Sequence, residues 1–289
     1  MNTNKNALVK MSVQGTVSHP TGAEMRVDAT GRQFVVPAIG GITYNVSIGD
    51  CAFGLCGDHV EPGVSVNNGD KEANRALMVF SCLGNKARVV SGKAEGAIGY
   101  VTGKHGGIEH IIVDFDEETR YQMTVDDKVL IEAYGQGLKL TDWEDVLVLS
   151  LDPAILEAMP LEERDGKLSI PVVAKVPAYL MGSGMGSSSA YTGDYDMMTA
   201  DRKEIARLGL DRLRFGDFVL LEDCDNIYGR GYMRGSAAVG VVIHSDCIVS
   251  GHGPGITTVL AARNGLLEGR IDKNANLKYF FEKAKQQRL

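Results

Sequence analysis

The chain has 289 residues, a mass of 31.1 kDa and a formal net charge of −7. This length is enough for one large domain or two smaller ones, each with its own core. The negative charge disfavours binding to nucleic-acid phosphates, and no apolar run is long enough to span a bilayer. The first ten residues lack the apolar core of a signal peptide. We therefore expect a cytoplasmic protein that binds neither nucleic acid nor membranes.

Helices are expected at four places along the chain. Asp70 and Asp152 are suitable N-cap residues, Pro153 is tolerated in a first turn, and Gly84 is a typical helix stop. The last helix places Leu277 and other apolar side chains on one face, which suits packing against a sheet. The predicted helices cover residues 70–83, 152–159, 201–208 and 273–287.

The remainder of the chain indicates strands and turns, because it combines 35 glycines with many Val, Ile and Thr runs. We predict a mainly β fold of layered sandwich or barrel-like sheets, with a few short helices and a C-terminal helix. The acidic, proline-containing segment 149–167 is the best candidate boundary. It divides a β-rich N-terminal domain (1–148) from a C-terminal β-sandwich domain (149–289), and the two can pack as one unit.

Chemistry-bearing side chains are concentrated in residues 241–255, V-V-I-H-S-D-C-I-V-S-G-H-G-P-G. Two apolar β-like runs end in His244-Ser245-Asp246-Cys247 and in Gly251-His252-Gly253. Strand alternation would place His244 and Asp246 on one face, as a base and its orienting carboxylate or as neighbouring metal ligands. His252 is flanked by glycines that leave its imidazole accessible. We take His244, Asp246 and His252 as candidate catalytic residues.

Cys224 is a further catalytic candidate, although its position between two aspartates is unfavourable. Like charge raises the pKa of a thiol, so Cys224 is a poor nucleophile unless a cation such as Arg230 or a metal offsets the field.

Carboxylates and histidines elsewhere in the chain are candidate metal ligands. Asp58 and His59 adjoin each other, and Asp223 and Asp225 flank Cys224. Mixed nitrogen and oxygen ligands suit a divalent metal such as zinc, manganese or iron. Loop aspartates also form turns by bonding to their own backbone, so a purely structural role stays open.

A glycine-rich loop at residues 182–189 is expected to bind substrate. Its Gly-x-Gly-x-Gly spacing could form a nest of backbone N–H groups for a carboxylate or oxyanion. His105, in the turn-like segment 104–107, is expected to be solvated. The candidate substrate-binding residues are Gly182, Ser183, Gly184, Gly186, Asp194, Asp196, Arg230, Gly253 and Gly255.

Four segments resemble the prokaryotic domain-of-unknown-function family 4438 along nearly the whole chain. They are residues 181–186, 193–196, 214–217 and 241–255. The resemblance implies a mainly β, layered-sandwich architecture and a homo-oligomer, and it implies no agreed activity.

A fainter similarity is to acetamidase/formamidase-like hydrolases. Gly193-Asp194-Tyr195-Asp196, Gly216-Asp217 and Asp223-Cys224-Asp225 carry it. The chain has Asp194 where that pattern has asparagine, and it lacks the pattern's Gly-Asp-x-His-Ala stretch.

These observations leave three functions open. The first is metal-assisted hydrolysis of a small amide or cyclic amide. The second is a non-enzymatic small-ligand-binding or homo-oligomeric assembly protein, in which the glycine-rich loops make subunit contacts. The third is lyase or isomerase chemistry with His252 as the base.

Overall fold

The computed structural model describes residues 1–21, 25–36 and 39–287, and the prediction of a mainly β fold is confirmed. Among these residues, no helix combines the length and the apolar character needed to cross a membrane. The eighteen strands of the described chain are β1 (Met11–Val17), β2 (Met25–Val27), β3 (Gln33–Val35), β4 (Ile42–Thr43), β5 (Gly63–Asn67), β6 (Lys86–Val89), β7 (Ile98–His105), β8 (His110–Asp114), β9 (Lys128–Ala133), β10 (Val146–Val148), β11 (Glu162–Arg164), β12 (Lys167–Val172), β13 (Ala174–Val176), β14 (Tyr195–Asp196), β15 (Phe218–Asp225), β16 (Gly231–Val242), β17 (Gly255–Ala262) and β18 (Leu267–Ile271).

Six strands of the N-terminal half close into an antiparallel barrel. Neighbours pair in the order β1-β9-β6-β7-β8-β5, and β5 pairs back with β1 through Thr16 and Val17. Closure removes the open sheet edges that would otherwise invite pairing with other chains. The interior is apolar, with Val66, Val101 and Ile131 fully buried. β4 extends the barrel at β5, whereas β2 and β3 form a separate hairpin.

The C-terminal half contains a sheet with the order β10-β17-β16-β15-β13, and the short strand β14 also pairs with β17. A smaller sheet of β11, β12 and β18 packs nearby. β10 lies before the expected boundary at residue 148 and yet forms the edge of the larger sheet. The two halves meet where the Lys104 amide donates to Thr257 Oγ1 at 3.1 Å, which joins β7 to β17.

The helices follow the local signals in the sequence. The described helices are α1 (Lys71–Phe80), α2 (Glu117–Gln122), α3 (Pro153–Ala158), α4 (Arg202–Arg207) and α5 (Leu277–Gln287), with 3₁₀ turns at Lys5–Ala7, Ala178–Leu180 and Leu210–Arg212. Asp70, Asp152 and Asp201 cap their helices by accepting from backbone amides, as their residue type predicts. α1 ends three residues earlier than expected, and α5 begins four residues later. The sequence analysis missed α2, which Asp116 caps.

Candidate functional site

Imidazole and carboxylate groups from distant parts of the chain meet between one end of the barrel and the larger C-terminal sheet. The loop before β5, the β7–β8 hairpin, β14, the loop after β16 and the start of β17 all contribute. Among the described residues, four groups of three side chains have ligand atoms close enough together to hold a metal ion: His59, His105 and His244; Asp58, His59 and Cys247; His59, Asp196 and His252; and Asp194, Asp196 and His244.

His244 and Asp194 form the most deeply buried part of this cluster. His244 Nε2 lies 3.0 Å from Asp194 Oδ2, but the two atoms lack the geometry of a hydrogen bond, and both are buried without another hydrogen-bonding partner. His244 Nδ1 lies closer to the carbonyl oxygen of Ser245 (2.9 Å) than to the amide of Gly255 (3.3 Å). A carbonyl only accepts and an amide only donates, so in the neutral ring the shorter contact favours the proton on Nδ1 and the lone pair on Nε2. In that form two electron-pair donors face each other across 3.0 Å, and either a proton on Nε2, which the raised pKa of His244 favours, or a cation would separate them.

Asp196 connects this pair to two further histidines. Its Oδ1 lies 3.6 Å from His244 Nε2, whereas its Oδ2 lies 2.6 Å from His252 Nδ1 and 3.4 Å from His59 Nε2. The two histidine nitrogens are themselves 3.2 Å apart. Asp196 is thus surrounded by three imidazoles, and each of its oxygens serves a different side of the cluster.

Outer partners fix the ring orientation of two histidines at the cluster. Asp58 Oδ1 accepts from His59 Nδ1 at 2.9 Å, and Glu61 accepts from His105 Nδ1 in a short hydrogen bond. Glu61 is fully buried and also contacts His110 Nδ1 at 3.0 Å. In each case Nδ1 is engaged, which leaves Nε2 available to the cluster. Metal-binding histidines characteristically have such carboxylate or carbonyl partners on the outer nitrogen.

The proximity of these charges shifts several pKa values. Burial lowers the pKa of His59, but hydrogen bonds with Asp196 and Asp58 outweigh it and raise the pKa to about 12. Burial also opposes charge on His244, yet Asp194 and Asp196 raise its pKa to about 9. Burial alone would raise the pKa of Asp196, whereas its three histidine neighbours hold it well below the usual range. The carboxylates of the cluster therefore strongly favour positively charged partners beside them.

A cavity of about 320 Å³ opens onto this cluster. His59, His105, His252 and Arg230 are among the residues that line it. Arg230 is buried and donates from Nη1 to the carbonyl oxygen of Asp194 at 2.7 Å, while its Nε has no hydrogen-bonding partner. A larger cavity of about 380 Å³ lies elsewhere, beside Lys5 and Lys86, and contains no such cluster among the described residues.

The glycine-rich loop borders the cavity through Ser183, Gly184 and Ser187, but it does not form the expected nest of free amides. Its N–H groups instead bind carbonyl oxygens: Gly182 binds Asp196, Ser183 binds Gly251, and Gly186 binds Arg230, at 2.7–2.8 Å. For these three amides, the expectation that they receive an oxyanion is corrected. Their hydrogen bonds hold the loop against the site.

Two glycines near β17 allow the backbone to approach the cluster. A Cβ atom on Gly255 would lie 2.1 Å from Asp194 Oδ2 and 2.2 Å from His244 Nε2. A Cβ atom on Gly253 would lie 1.8 Å from the carbonyl oxygen of Met197. Both glycines thus permit close packing around the site, and neither position accommodates a side chain.

The structure does not bring all of the candidate residues to the cluster. Asp225 forms a two-pronged ion pair with Arg263, at 2.7 and 2.9 Å, and Asp223 accepts from the Gly235 amide at a bulge in β15. Cys224 is buried in the apolar core, where burial, and after it the Asp223 charge, raises the thiol pKa to about 12. The placement of Asp223 and Asp225 as metal ligands and of Cys224 as a nucleophile is therefore corrected.

Asp246 also lies outside the cluster. β16 ends at Val242, so the strand alternation expected to align Asp246 with His244 does not continue through these residues. Asp246 instead accepts from Thr199 and Arg202, both at 2.5 Å, and caps the amide of Cys247. Asp194 and Asp196 occupy the place beside His244 that the sequence analysis gave to Asp246.

Two residues of the site, His105 and His110, were misjudged or missed in the sequence. His105 was expected to be solvated, yet it is buried, with its ring centroid 4.3 Å from that of His244. Glu61 and His110 complete the network behind it. The spacing of His105 and His110 across a short hairpin was the available signal, because these residues pair directly in β7 and β8.

The donor set fits a divalent cation. Asp194, Asp196 and His244 each offer one oxygen or nitrogen within 4.8 Å of the other two, and catalytic zinc sites use three such protein ligands and one open position. A cation there would lie between the buried, unpaired atoms of Asp194 and His244 and satisfy both.

Comparison with known protein families assigns nearly the whole chain to one family. Residues 25–157 match the N-terminal model, and residues 158–281 the C-terminal model, of the domain of unknown function DUF4438. The chain belongs to the DUF4438 family. The family resemblance drawn from the sequence motifs is thereby confirmed, and the two models meet inside the segment 149–167.

A solved structure supports the same assignment. The chain is similar to the protein TM1086, whose crystal structure has been solved, with 45% sequence identity and a TM-score of 0.90. The match covers 96% of this chain and 98% of TM1086. A comparison with curated proteins gave no match. The site geometry is therefore the basis for a functional proposal.

Proposed function

We propose that this DUF4438 protein is a metal-dependent hydrolase of a small amide or cyclic amide, with a divalent cation bound by Asp194, Asp196 and His244. The observation that carries the proposal is the contact between Asp194 Oδ2 and His244 Nε2, two buried electron-pair donors 3.0 Å apart without a shared hydrogen bond. Leaving both unsatisfied is costly, about 1–3 kcal/mol for each polar group, and a cation removes that cost.

The cavity beside the cluster supports a small polar substrate. Its volume, about 320 Å³, is at the lower end of ligand sites. Arg230 supplies a buried positive charge at the lining of this cavity. A bound divalent metal lowers the pKa of a coordinated water toward neutrality and polarises a carbonyl group. In amide hydrolysis, water oxygen adds to the carbonyl carbon, the C–N bond breaks, and the amine leaves with a proton.

The amide substrate class has a second source of support. The fainter similarity to acetamidase/formamidase-like hydrolases includes residues 193–196, which contain two of the three proposed ligands. Where that pattern has a neutral asparagine, this chain has Asp194, which can serve as an anionic ligand.

The experiment combines metal analysis with turnover. The purified chain is loaded with zinc, manganese or iron, its metal content is measured, and release of amine from a panel of small linear and cyclic amides is followed. Asp194→Asn preserves the shape of the side chain but removes its charge, and should abolish both stoichiometric metal and turnover. Asp225→Asn is the matched control, because that carboxylate is occupied by Arg263. Equal metal content in Asp194→Asn and the wild type would disprove the proposal.

A lyase or isomerase is the rival function, and one contact favours it. His252 is one-third exposed at the cavity, and Asp196 accepts from its Nδ1 at 2.6 Å, which is the arrangement of an oriented general base. Turnover in ¹⁸O-labelled water distinguishes hydrolysis from lyase or isomerase chemistry, since hydrolysis places ¹⁸O in the acid product. Deuterium uptake at a carbon next to the carbonyl, without ¹⁸O, would favour the rival.

A further inference from the structure

A second group of ligand atoms lies on the other side of Asp196. His59 Nε2, His252 Nδ1 and Asp196 Oδ2 are separated by 3.2 Å, 2.6 Å and 3.4 Å. This group shares only Asp196 with the group formed by Asp194, Asp196 and His244. Of the four such groups among the described residues, these two sets of three ligand atoms meet at one carboxylate.

The backbone around Asp196 holds this carboxylate in place between the two sets. The Asp196 amide donates to the carbonyl oxygen of Ser183 at 2.8 Å, and the Gly182 amide donates to the carbonyl oxygen of Asp196 at 2.7 Å. Oδ1 is directed to His244 and Oδ2 to His59 and His252. A carboxylate with its oxygens divided in this way is suited to bridge two cations.

We propose that the site binds two divalent cations bridged by Asp196, the first held by Asp194 and His244 and the second by His59 and His252. This inference rests on the first metal of the proposed function and adds a second. Enzymes with two metals about 3.5–4 Å apart use them to clamp the attacking and the leaving oxygens of a displacement.

The ligand separations agree with this arrangement. Tetrahedral ligands about 2.1 Å from a zinc ion lie roughly 3.4 Å from one another. The separations at the first metal are 3.0 Å and 3.6 Å, and those that involve His59 at the second are 3.2 Å and 3.4 Å. The 2.6 Å contact of His252 with Asp196 is the length of a hydrogen bond. Rotation of the His252 ring would lengthen this distance. This ring is one-third exposed, more than any other histidine ring of the cluster.

The outer contacts distinguish the two positions. His59 Nδ1 is engaged by Asp58, which directs Nε2 to the second position. At the first position His244 is fully buried and does not line the cavity, whereas His59 and His252 at the second position both line it. The second metal therefore lies nearer to substrate and should exchange more readily.

Metal stoichiometry tests this inference separately from the proposed function. The full-length chain, freed of metal with a chelator, is dialysed against Zn²⁺, and bound zinc per chain is measured. We expect two ions in the wild type, one in His252→Ala, and two in the control His19→Ala, whose side chain is 67% exposed. Circular dichroism confirms that each variant is folded.

Each stoichiometry has a defined meaning. No bound zinc in the wild type overturns both the proposed function and the second site. One zinc in the wild type retains the proposed function and overturns the second site. Two in the wild type and two in His252→Ala overturn the assignment of His252. Loading with Mn²⁺ gives an independent readout, because two ions bridged by one carboxylate produce an exchange-coupled electron paramagnetic resonance spectrum, and separate ions do not.

Discussion

Gly255 faces His244 at a distance that excludes any side chain. The first residue of β17 lies against the imidazole edge, so a Cβ atom there would lie 2.2 Å from Nε2 of His244 and 2.1 Å from Oδ2 of Asp194. The unpaired atoms of the site are thus packed directly onto the backbone of the adjacent strand. A glycine at this position is a requirement of the site geometry.

Gly255→Ala should therefore weaken metal binding. The added methyl group must displace His244 or Asp194, and loss of the contacts that orient metal ligands typically reduces metal affinity by about 10–100-fold. Zinc affinity, measured by competition with a chromogenic chelator, checks this. Gly231→Ala is the matched control, because a Cβ atom there meets nothing within 4 Å. Unchanged affinity in Gly255→Ala would show that the metal lies elsewhere.

Glu61→Gln should reduce both stability and metal affinity. Glu61 is fully buried and is the shared partner of His105, His110 and Ser65, so its loss leaves buried imidazoles without their carboxylate. Removing one partner from a buried ion pair costs about 3–5 kcal/mol. Urea denaturation at pH 7 measures the loss. Glu132→Gln, at an exposed carboxylate 3.8 Å from Lys86, should change stability by less than about 1 kcal/mol. A loss of similar size in both variants would contradict the role given to Glu61.

The sequence identified those parts of the site that depend on local patterns. Asp70, Asp152 and Asp201 were recognisable as caps because a cap requires only the next few residues. His244 and His252 were recognisable because glycines and chemical groups are concentrated around them. These features need no knowledge of how distant segments pack.

The parts that were not predicted depend on contacts over long distances in the chain. Asp225 is neutralised by Arg263, 38 residues away, and nothing near Asp225 reveals this. His105 is buried because a segment some 140 residues later packs over its hairpin. The pairing of His244 with Asp246 was misjudged because β16 ends two residues before His244, and the position of strand ends is poorly determined by local sequence.

Asp114→Asn should stabilise the protein near neutral pH. Burial raises the Asp114 pKa to about 6 from 3.8, against the smaller opposing effects of Arg120, Lys278 and Lys285. The folded chain then binds this proton more tightly than the unfolded chain, so the carboxyl group destabilises the fold progressively as the pH rises from about 4 to 6. The variant should gain up to about 3 kcal/mol over the wild type at pH 7 and almost nothing at pH 4.

Urea denaturation of both chains across pH 4–8 checks the Asp114 prediction. The difference between variant and wild type is the informative quantity, because other groups titrate equally in both. Glu268→Gln, at an exposed position in β18, should show a flat difference over the same range. A flat difference for Asp114→Asn would show that its carboxyl group titrates normally.

Lys104→Met should loosen the segment that carries Asp194. Lys104 is fully buried, and its Nζ donates to Tyr191 O and Ser150 Oγ at 2.8 Å and to Val79 O at 3.3 Å. Burial lowers its pKa to about 8. Methionine fills a similar volume but cannot donate, so the carbonyl oxygen of Tyr191, three residues before Asp194, loses a charged partner. A hydrogen bond from a charged group contributes about 1.5–3 kcal/mol, which corresponds to a tenfold or larger increase in local opening.

Hydrogen–deuterium exchange by mass spectrometry measures the effect of Lys104→Met. Exchange should accelerate in residues 190–194 while the barrel strands stay protected, because the apolar replacement also removes the cost of burying a charge and so limits the global loss. Lys86→Met, at a side chain that is 42% exposed, provides the matched control and should leave exchange unchanged. Uniform acceleration through the whole chain would mean that Lys104 stabilises the fold generally. Slow exchange in residues 190–194 would mean that other contacts hold Asp194 in position.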